Sequence, residues 1–153
     1  MTTDALTDTI ERGARSALTT ILGAHPGENL IGFALCTDDD LWTLYAAATT
    51  HEAGLTPEEQ FVPVDWPYEE SSPFREASGL LKNRPIGSDY DAYFRTITRA
   101  LQRMRDQSVF APTTFLAVLS TDPGPIQRRL AREAILTLNS PEVAEAALGV
   151  LRL

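Results

Sequence analysis

Residues 29–49, NLIGFALCTDDDLWTLYAAAT, decide the fold of this chain. The apolar run 29–36 has the length of a buried strand, and the run 41–49 predicts a second strand. One face of that second strand is expected to carry Trp42, Leu44 and Ala46. Thr37 and the acidic triplet at 38–40 lie between the two strands and are typical of a turn. Two strands joined by a short polar turn form a hairpin, which predicts an antiparallel sheet.

Helices are expected on both sides of this hairpin. Before it, residues 4–23 carry apolar side chains at spacings of three and four, which predicts an amphipathic helix ending at Gly23. After it, Ser72-Pro73 predicts a short helix that reaches about residue 83. Ser88, with Asp91 three residues later, is expected to cap a longer helix that runs to about residue 106.

The last third of the chain predicts one strand and two helices. The run 113–120 is long and apolar enough to be a central strand. Pro125 then starts a helix, and Ser140-Pro141 starts a last helix that ends near Gly149.

Residues 50–72 are harder to assign. The sequence Thr-Pro-Glu-Glu at 56–59 has the cap, proline and glutamate of one helical turn. The aromatic-rich stretch that follows is interrupted by Pro63 and Pro67, which fits either an edge strand or a packed irregular loop.

These elements predict a single domain, residues 1–153, of the α+β class. The expected order is α-β-β-(β)-α-α-β-α-α, with a small antiparallel sheet of about three or four strands flanked by helices. A chain of 153 residues has the size of one ordinary domain with a sizeable core. Its 43% hydrophobic and 22% charged residues exclude a disordered chain and a disulfide scaffold.

Charge is distributed unevenly along the chain, whose formal net charge is −8. Residues 1–72 hold 13 acidic residues and two arginines, whereas residues 73–153 hold 11 basic and eight acidic residues. The acidic balance argues against nucleic-acid binding. It indicates either ordinary solubility or an acidic face that meets a basic partner. Arg95, Arg99 and Arg103 share one helix face. They could form a nucleic-acid or phosphate surface, but we expect them to be solvated or to pair with carboxylates.

The sequence favours a cytoplasmic protein without membrane contact. The one cysteine, Cys36, cannot form an internal disulfide, which suits a reducing compartment. Residues 1–4 lack the basic start and apolar stretch of a signal peptide. No apolar run approaches the roughly 20 residues that a membrane-spanning helix needs.

Local motifs of known chemistry are missing from the sequence. It has neither a glycine-rich phosphate cradle nor a serine-nucleophile elbow. The triplet at 38–40 fails the EF-hand pattern because Trp42 and Thr43 occupy positions five and six. His25 and Glu28 are three residues apart, but the intervening proline and glycine prevent a helix. We therefore expect no catalytic, cofactor-binding or metal-binding residue and favour a protein that is not an enzyme.

Acidic residues beside aromatic ones provide the candidate partner-binding site. Its seven residues are Asp38, Asp39, Asp40, Trp66, Tyr68, Glu69 and Glu70. The acidic triplet could form a tip that a basic partner grips, or only a hairpin turn. Trp66 could contact the partner, or it could fill the core. If the site is one binding face, its five acidic residues should lie on one exposed surface.

Several stretches resemble a bacterial family of unknown function, number 4303 in the domain-of-unknown-function series. AHPGENLIGFALCTDDD at 24–40 resembles the opening of the family, and WPYE at 66–69 resembles its aromatic element. STD at 120–122, the arginines at 128–129 and NSP at 139–141 resemble its late strand, arginine-rich helix and Asn-x-Pro. The resemblance spans most of the chain, except residues 52–64. It implies a small protein without an agreed catalytic motif, similar in kind to immunity proteins of bacterial toxin systems.

These observations favour a bacterial immunity protein that binds and neutralises a cognate toxin, such as a basic nuclease domain, through an acidic surface. One alternative is a small enzyme or ligand-binding domain whose site is assembled only in the fold. Its candidate residues are His25, Asp38, Trp66, Tyr68 and Arg99. Another alternative is an oligomeric interaction module, which requires a large apolar patch on the last two helices.

Overall fold

The elements of the structure follow the expected order. The computed structural model describes residues 3–153. Its helices and strands are α1 (Thr3–Ala24), β1 (Leu30–Thr37), β2 (Leu44–Thr50), β3 (Tyr68–Glu70), α2 (Arg75–Lys82), α3 (Tyr90–Asp106), β4 (Phe115–Ser120), α4 (Pro125–Leu138) and α5 (Pro141–Leu151). The α+β class and the order of elements are confirmed. The absence of a signal peptide was expected from residues 1–4, and residues 1 and 2 lie outside the described range.

The sheet has four strands in the spatial order β3-β2-β1-β4. β1 and β2 form the expected hairpin, with Leu35 opposite Ala46, and β3 pairs antiparallel with β2. β4 instead pairs parallel with β1, so the sheet is mixed where an antiparallel sheet was expected. The chain passes through α2 and α3 before it enters β4, and a parallel pair requires such a long crossover.

β4 lies at an edge of the sheet, although its apolar sequence predicts a central position. All six of its residues are buried. Its outer edge is closed by Asn139, whose Oδ1 accepts the Leu116 N–H at 2.9 Å and whose Nδ2 donates to the Leu116 carbonyl at 2.7 Å. At Leu116, this amide makes the pair of backbone bonds that a neighbouring strand would make. The long apolar run therefore indicated burial on both faces, and not a central place in the sheet.

Two apolar cores lie on the two faces of the sheet. On one face, α1 and α3 pack against Phe33, Leu35 and Val118. On the other face, α5 and the irregular segment 55–66 pack against Phe115 and its neighbours. α4 contributes side chains to both cores, and it packs against β4 and α3.

Several element boundaries differ from the sequence prediction. β2 begins at Leu44, so residues 41–43 belong to the turn. The cap of α3 is Asp89 and not Ser88, and the Asp89 side chain accepts the Ala92 N–H. α5 continues to Leu151, beyond the expected end at Gly149.

Residues 50–72 contain both an irregular packed loop and an edge strand, the two structures that their prolines allowed. Four short 3-10 turns occupy His51–Ala53, Glu59–Phe61, Pro63–Asp65 and Ser72–Phe74, and β3 is an edge strand. Thr56 and Glu59 bond each other's backbone N–H groups at 3.3 and 3.2 Å, which confirms the predicted helical turn.

Candidate functional site

The acidic turn after β1 is built around the carboxylate of Asp38. Its Oδ1 accepts the Trp42 backbone N–H at 2.8 Å, and its Oδ2 accepts the Thr43 hydroxyl at 3.0 Å. Leu41 is buried beneath this turn and has a left-handed backbone, with φ of 58°. A non-glycine residue held in that conformation needs support from its surroundings. Asp38 therefore shapes the turn, and its side chain is only partly exposed.

Two further side chains fix this turn from neighbouring elements. The Arg84 guanidinium donates to the carbonyl of Asp40 at 2.7 Å and to that of Leu41 at 3.3 Å. Gln127, in the first turn of α4, donates to the Asp39 carbonyl at 3.3 Å. The region formed by residues 38–43, 83–89 and 124–127 is named the loop end. The side chains of Asp39 and Asp40 are exposed there.

Trp42 is the residue of the loop end that the sequence pattern misplaced. Its alternation with Leu44 predicted a position on one face of β2, but the residue is 49% exposed. Nζ of Lys82 lies 5.8 Å from the centroid of its ring. Leu41 fills the buried position instead, because β2 starts three residues later than predicted. The available signal was the spacing of Asp38, Trp42 and Thr43, which lets one carboxylate cap two residues of the same turn.

Trp66 is a core residue and is not available to a partner. It is 3% exposed, and its Nε1 donates to the Glu59 carbonyl at 3.1 Å. The ring lies so close to Gly32 that a Cβ there would come within 2.6 Å of it. Of the two alternatives for Trp66, the structure shows the packed one.

Glu69 and Glu70 face opposite sides of the sheet. Glu69 pairs with Ala47, which belongs to one core, and Glu70 pairs with Ala46, which belongs to the other. Successive residues of a strand alternate in direction, so these two carboxylates cannot share a face. With Asp38 engaged inside its turn as well, the five acidic candidates do not lie on one exposed surface.

Tyr68 joins a polar cluster at the opposite end of the sheet from the loop end. Its ring stacks on His25, with centroids 3.7 Å apart and an angle of 23° between the planes. His25 Nδ1 lies 3.2 Å from Oε2 of Glu28. The other oxygen of Glu28 accepts the Tyr68 hydroxyl at 2.7 Å and the Thr50 hydroxyl at 2.6 Å. Both carboxylate oxygens are engaged, so Glu28 positions its neighbours.

Hydrogen bonding shifts the pKa values of Glu28 and Tyr68 in this cluster. The pKa of Glu28 is lowered, chiefly by the Thr50 hydroxyl and next by the Tyr68 hydroxyl. The same bond to Glu28 raises the pKa of Tyr68. A cleft of about 230 Å³ lies beside the cluster, between the end of α1 and residues 67–70.

The residues suggested for a site assembled in the fold come together only in part. His25 and Tyr68 both line the cleft beside the polar cluster. Asp38 holds the turn at the loop end, Trp66 is packed in a core, and Arg99 lies on α3 near Asp4.

Arginines of α3 and α4 pair with carboxylates from elsewhere in the fold. Arg95 binds Glu133 through two nitrogens, at 3.0 and 3.2 Å. Arg129 binds Asp91 at 2.8 Å, and Arg103 contacts acidic residues of α1. The pairing expected from the sequence is confirmed, and these arginines are used to join helices.

The acidic residues in the middle of the chain lack such partners. Between Ser16 and Phe74 there are ten acidic residues and no lysine or arginine. Within residues 3–153, none of the ten forms an ion pair with a lysine or arginine, and the basic side chain beside Glu28 is His25. The exposed members are Asp39, Asp40, Glu52, Glu58, Asp65 and Glu69. Residues 16–74 are named the acidic segment.

The described part of α4 and α5 presents no large apolar patch. The exposed large hydrophobic residues on these helices are Ile126 and Leu136, each 53% exposed. They are ten residues apart in one helix, which corresponds to about 15 Å. The oligomeric alternative therefore lacks the surface that it requires.

The described residues also lack a metal-binding cluster and a membrane-spanning helix. No group of three or more His, Cys, Asp or Glu side chains in residues 3–153 is arranged to hold a metal ion. No helix in that range is long and apolar enough to cross a membrane. Burial raises the pKa of the Cys36 thiol to about 12, so this thiol is a packed apolar group at neutral pH.

Comparison with known proteins identifies the family. A family model described as domain of unknown function (DUF4303) matches residues 10–140. Searches of curated proteins and of solved structures find no match. The family model covers most of the chain, so the chain belongs to this family, as its motifs indicated.

Proposed function

We propose that this family member is a non-enzymatic binding protein that captures a basic protein partner through its acidic segment. The favoured partner is a bacterial toxin domain, which the chain would neutralise as an immunity protein by covering the toxin's active site. The observation that carries the proposal is the set of ten acidic residues without a lysine or arginine partner.

The two halves of the chain use their charges differently. Four arginines of α3 and α4 form ion pairs that join helices: Arg95, Arg99, Arg103 and Arg129. Exposed acidic residues at 39–40, 58, 65 and 69 make no such contact with a lysine or arginine of the described chain. Unpaired charges of one sign produce a field that reaches about 8 Å at physiological ionic strength. Such a field can raise the association rate of an oppositely charged partner by about 10- to 1,000-fold.

The bacterial cytoplasm is the compartment that suits this role. The family resemblance is to bacterial proteins, and the single cysteine is buried and unpaired. An inhibitor of an intracellular toxin must fold and persist under reducing conditions, and this chain needs no disulfide to do so.

A pull-down with matched charge variants tests the proposal. Tagged wild-type protein is added to a lysate of the bacterium that carries the gene, and bound proteins are identified by mass spectrometry. The test variant is Asp65→Lys with Glu69→Lys, which reverses two exposed charges of the acidic segment. The control is Glu142→Lys with Glu145→Lys, which reverses two exposed charges on α5.

The expected result is one basic protein bound at near-stoichiometric amount by the wild type and by the control variant. The test variant should bind it more slowly, by about tenfold at low salt. Co-expression of this chain with the captured partner should relieve the toxicity of the partner. Capture of no basic protein, or equal association rates for test and control variants, would count against the proposal.

A second function is supported by the cleft beside His25. The stack of His25 on Tyr68 and the contact with Glu28 fix the imidazole at the edge of a cleft of about 230 Å³. A small polar ligand could bind there. An NMR screen of small metabolites would show shifts confined to residues near His25 if this function is correct. Shifts spread over the surface, or none, would remove it.

A further inference from the structure

Exposed apolar side chains are concentrated at the loop end. In the described chain, five large hydrophobic residues are exposed. They are Trp42, Val64, Ile86, Ile126 and Leu136, with exposures of 49%, 52%, 106%, 53% and 53%. Trp42, Ile86 and Ile126 belong to the three pieces of chain that make up the loop end. Large exposed hydrophobic residues that cluster are typical of an interaction surface, whereas scattered ones need no explanation.

Hydrogen bonds show that these three pieces of chain are in contact. Arg84 lies two residues before Ile86 and donates to the backbone of the 38–43 turn. Gln127 lies next to Ile126 and donates to the Asp39 carbonyl. Trp42 lies within that same turn. The three apolar residues therefore belong to pieces of chain that meet at the turn carrying Asp39 and Asp40, whose side chains are exposed.

The turn that presents Trp42 is rigidly held. Leu41 is anchored in the core with a left-handed backbone, and the Asp38 carboxylate fixes the Trp42 N–H. The Arg84 guanidinium donates to the carbonyls of Asp40 and Leu41. A side chain that is already ordered loses little entropy on binding, so an exposed tryptophan on such a turn is suited to anchor an interface.

We propose that the loop end is the contact face for the basic partner, with Trp42 as its anchor. Trp42 enters an apolar recess of the partner, Ile86 and Ile126 flank it, and Asp39 and Asp40 meet lysine or arginine at the rim. This inference rests on the proposed function and names the surface that performs it. A second copy of the chain is a poorer occupant, because a two-fold contact would bring the same acidic side chains together.

Site-specific photocrosslinking tests this surface with three matched positions. Trp42, Val64 and Leu136 are each replaced by p-benzoylphenylalanine in the source bacterium, and cells are irradiated. All three positions are half-exposed and apolar. Position 42 samples the loop end, position 64 samples the acidic segment away from it, and position 136 is the control on α4. Crosslinked proteins are identified by mass spectrometry.

The expected result is one basic protein crosslinked from position 42 and not from position 136. Its purified form should bind Trp42→Ala at least 30-fold more weakly than wild type, as expected for a residue that anchors an interface. Trp42→Phe should recover part of that loss. Leu136→Ala should bind like the wild type.

The contrary results separate this inference from the proposed function. A basic protein crosslinked from position 64 alone would overturn the inference and leave the proposed function standing. Crosslinking of position 42 to a second copy of the chain would also overturn the inference. If no position captures a basic protein, both fail. Unchanged affinity of Trp42→Ala for the captured partner would show that the loop end is not the contact face.

Discussion

Replacement of Asp38 should separate a structural role from a role in partner contact. Asp38→Ala removes two hydrogen bonds to a carboxylate, from the Trp42 N–H at 2.8 Å and from the Thr43 hydroxyl at 3.0 Å. Side-chain caps of this kind contribute about 0.5–2 kcal/mol, and bonds to charged groups lie at the upper end. Because Asp38 is partly exposed, we expect Asp38→Ala to lower the free energy of unfolding by about 1–2 kcal/mol.

Asp38→Asn is the informative companion. Its side-chain oxygen can still accept the Trp42 N–H, although the charge is gone. We therefore expect Asn to keep at least half of the stability that Ala loses, about 0.5–1 kcal/mol. If Asp38 acted through its charge alone, the two variants would behave alike.

Urea denaturation followed by circular dichroism measures these differences, and Asp40→Asn is the control. The Asp40 side chain is exposed, so its replacement should change stability by no more than about 0.5 kcal/mol. A loss below about 0.5 kcal/mol for Asp38→Ala, or equal losses for Ala and Asn, would refute the structural role of this carboxylate.

Three further predictions concern the rest of the fold. Asn139→Ala leaves the Leu116 N–H and carbonyl without their side-chain partner. It should therefore lower the free energy of unfolding by about 2–4 kcal/mol. A loss under about 1 kcal/mol would contradict the role of Asn139 at the edge of β4. The pKa of Glu28 is lower in the folded chain than in the unfolded chain. Its carboxylate therefore stabilises the fold at pH values above the usual carboxylate pKa, and this stabilisation is lost as the pH falls through the lowered pKa. Tyr68→Phe should move that pKa back toward 4.5 in an NMR titration, and an unchanged value would be the contrary result. Cys36 should react with a thiol reagent at pH 8 only when the fold opens, because the thiol is buried and burial raises its pKa to about 12. Rapid labelling of the native protein would contradict this.

The fold was predictable wherever a local pattern was strong. The apolar spacing of residues 4–23 identified α1, and the polar turn between two strand-like runs identified the hairpin. The parallel pairing of β4 was not predictable, because pairing direction depends on the long-range path through α2 and α3. Its edge position was hidden for a related reason. Asn139, which bonds to that edge, lies 23 residues beyond Leu116 in the sequence. No local sequence pattern predicts this contact.

The candidate site was predictable only in part. The acidic turn was found, but the sequence could not show that Asp38 turns inward while Asp39 and Asp40 remain exposed. The sequence pattern placed Trp42 on the buried face of β2, but β2 starts at Leu44, three residues later than predicted. Trp42 therefore lies in the turn and is exposed, and Leu41 is the buried residue. Strand starts are set by turn geometry as much as by hydrophobic alternation, which explains the error.

The dependence of the association rate on salt tests the central claim most directly. The captured partner is mixed with wild-type protein over a range of ionic strength, and the association rate constant is measured by stopped-flow fluorescence. If unpaired acidic residues capture a basic partner, the rate constant should fall steeply, by about tenfold or more between low and physiological salt. A rate constant that is independent of salt, or that rises with it, would contradict capture through the acidic segment.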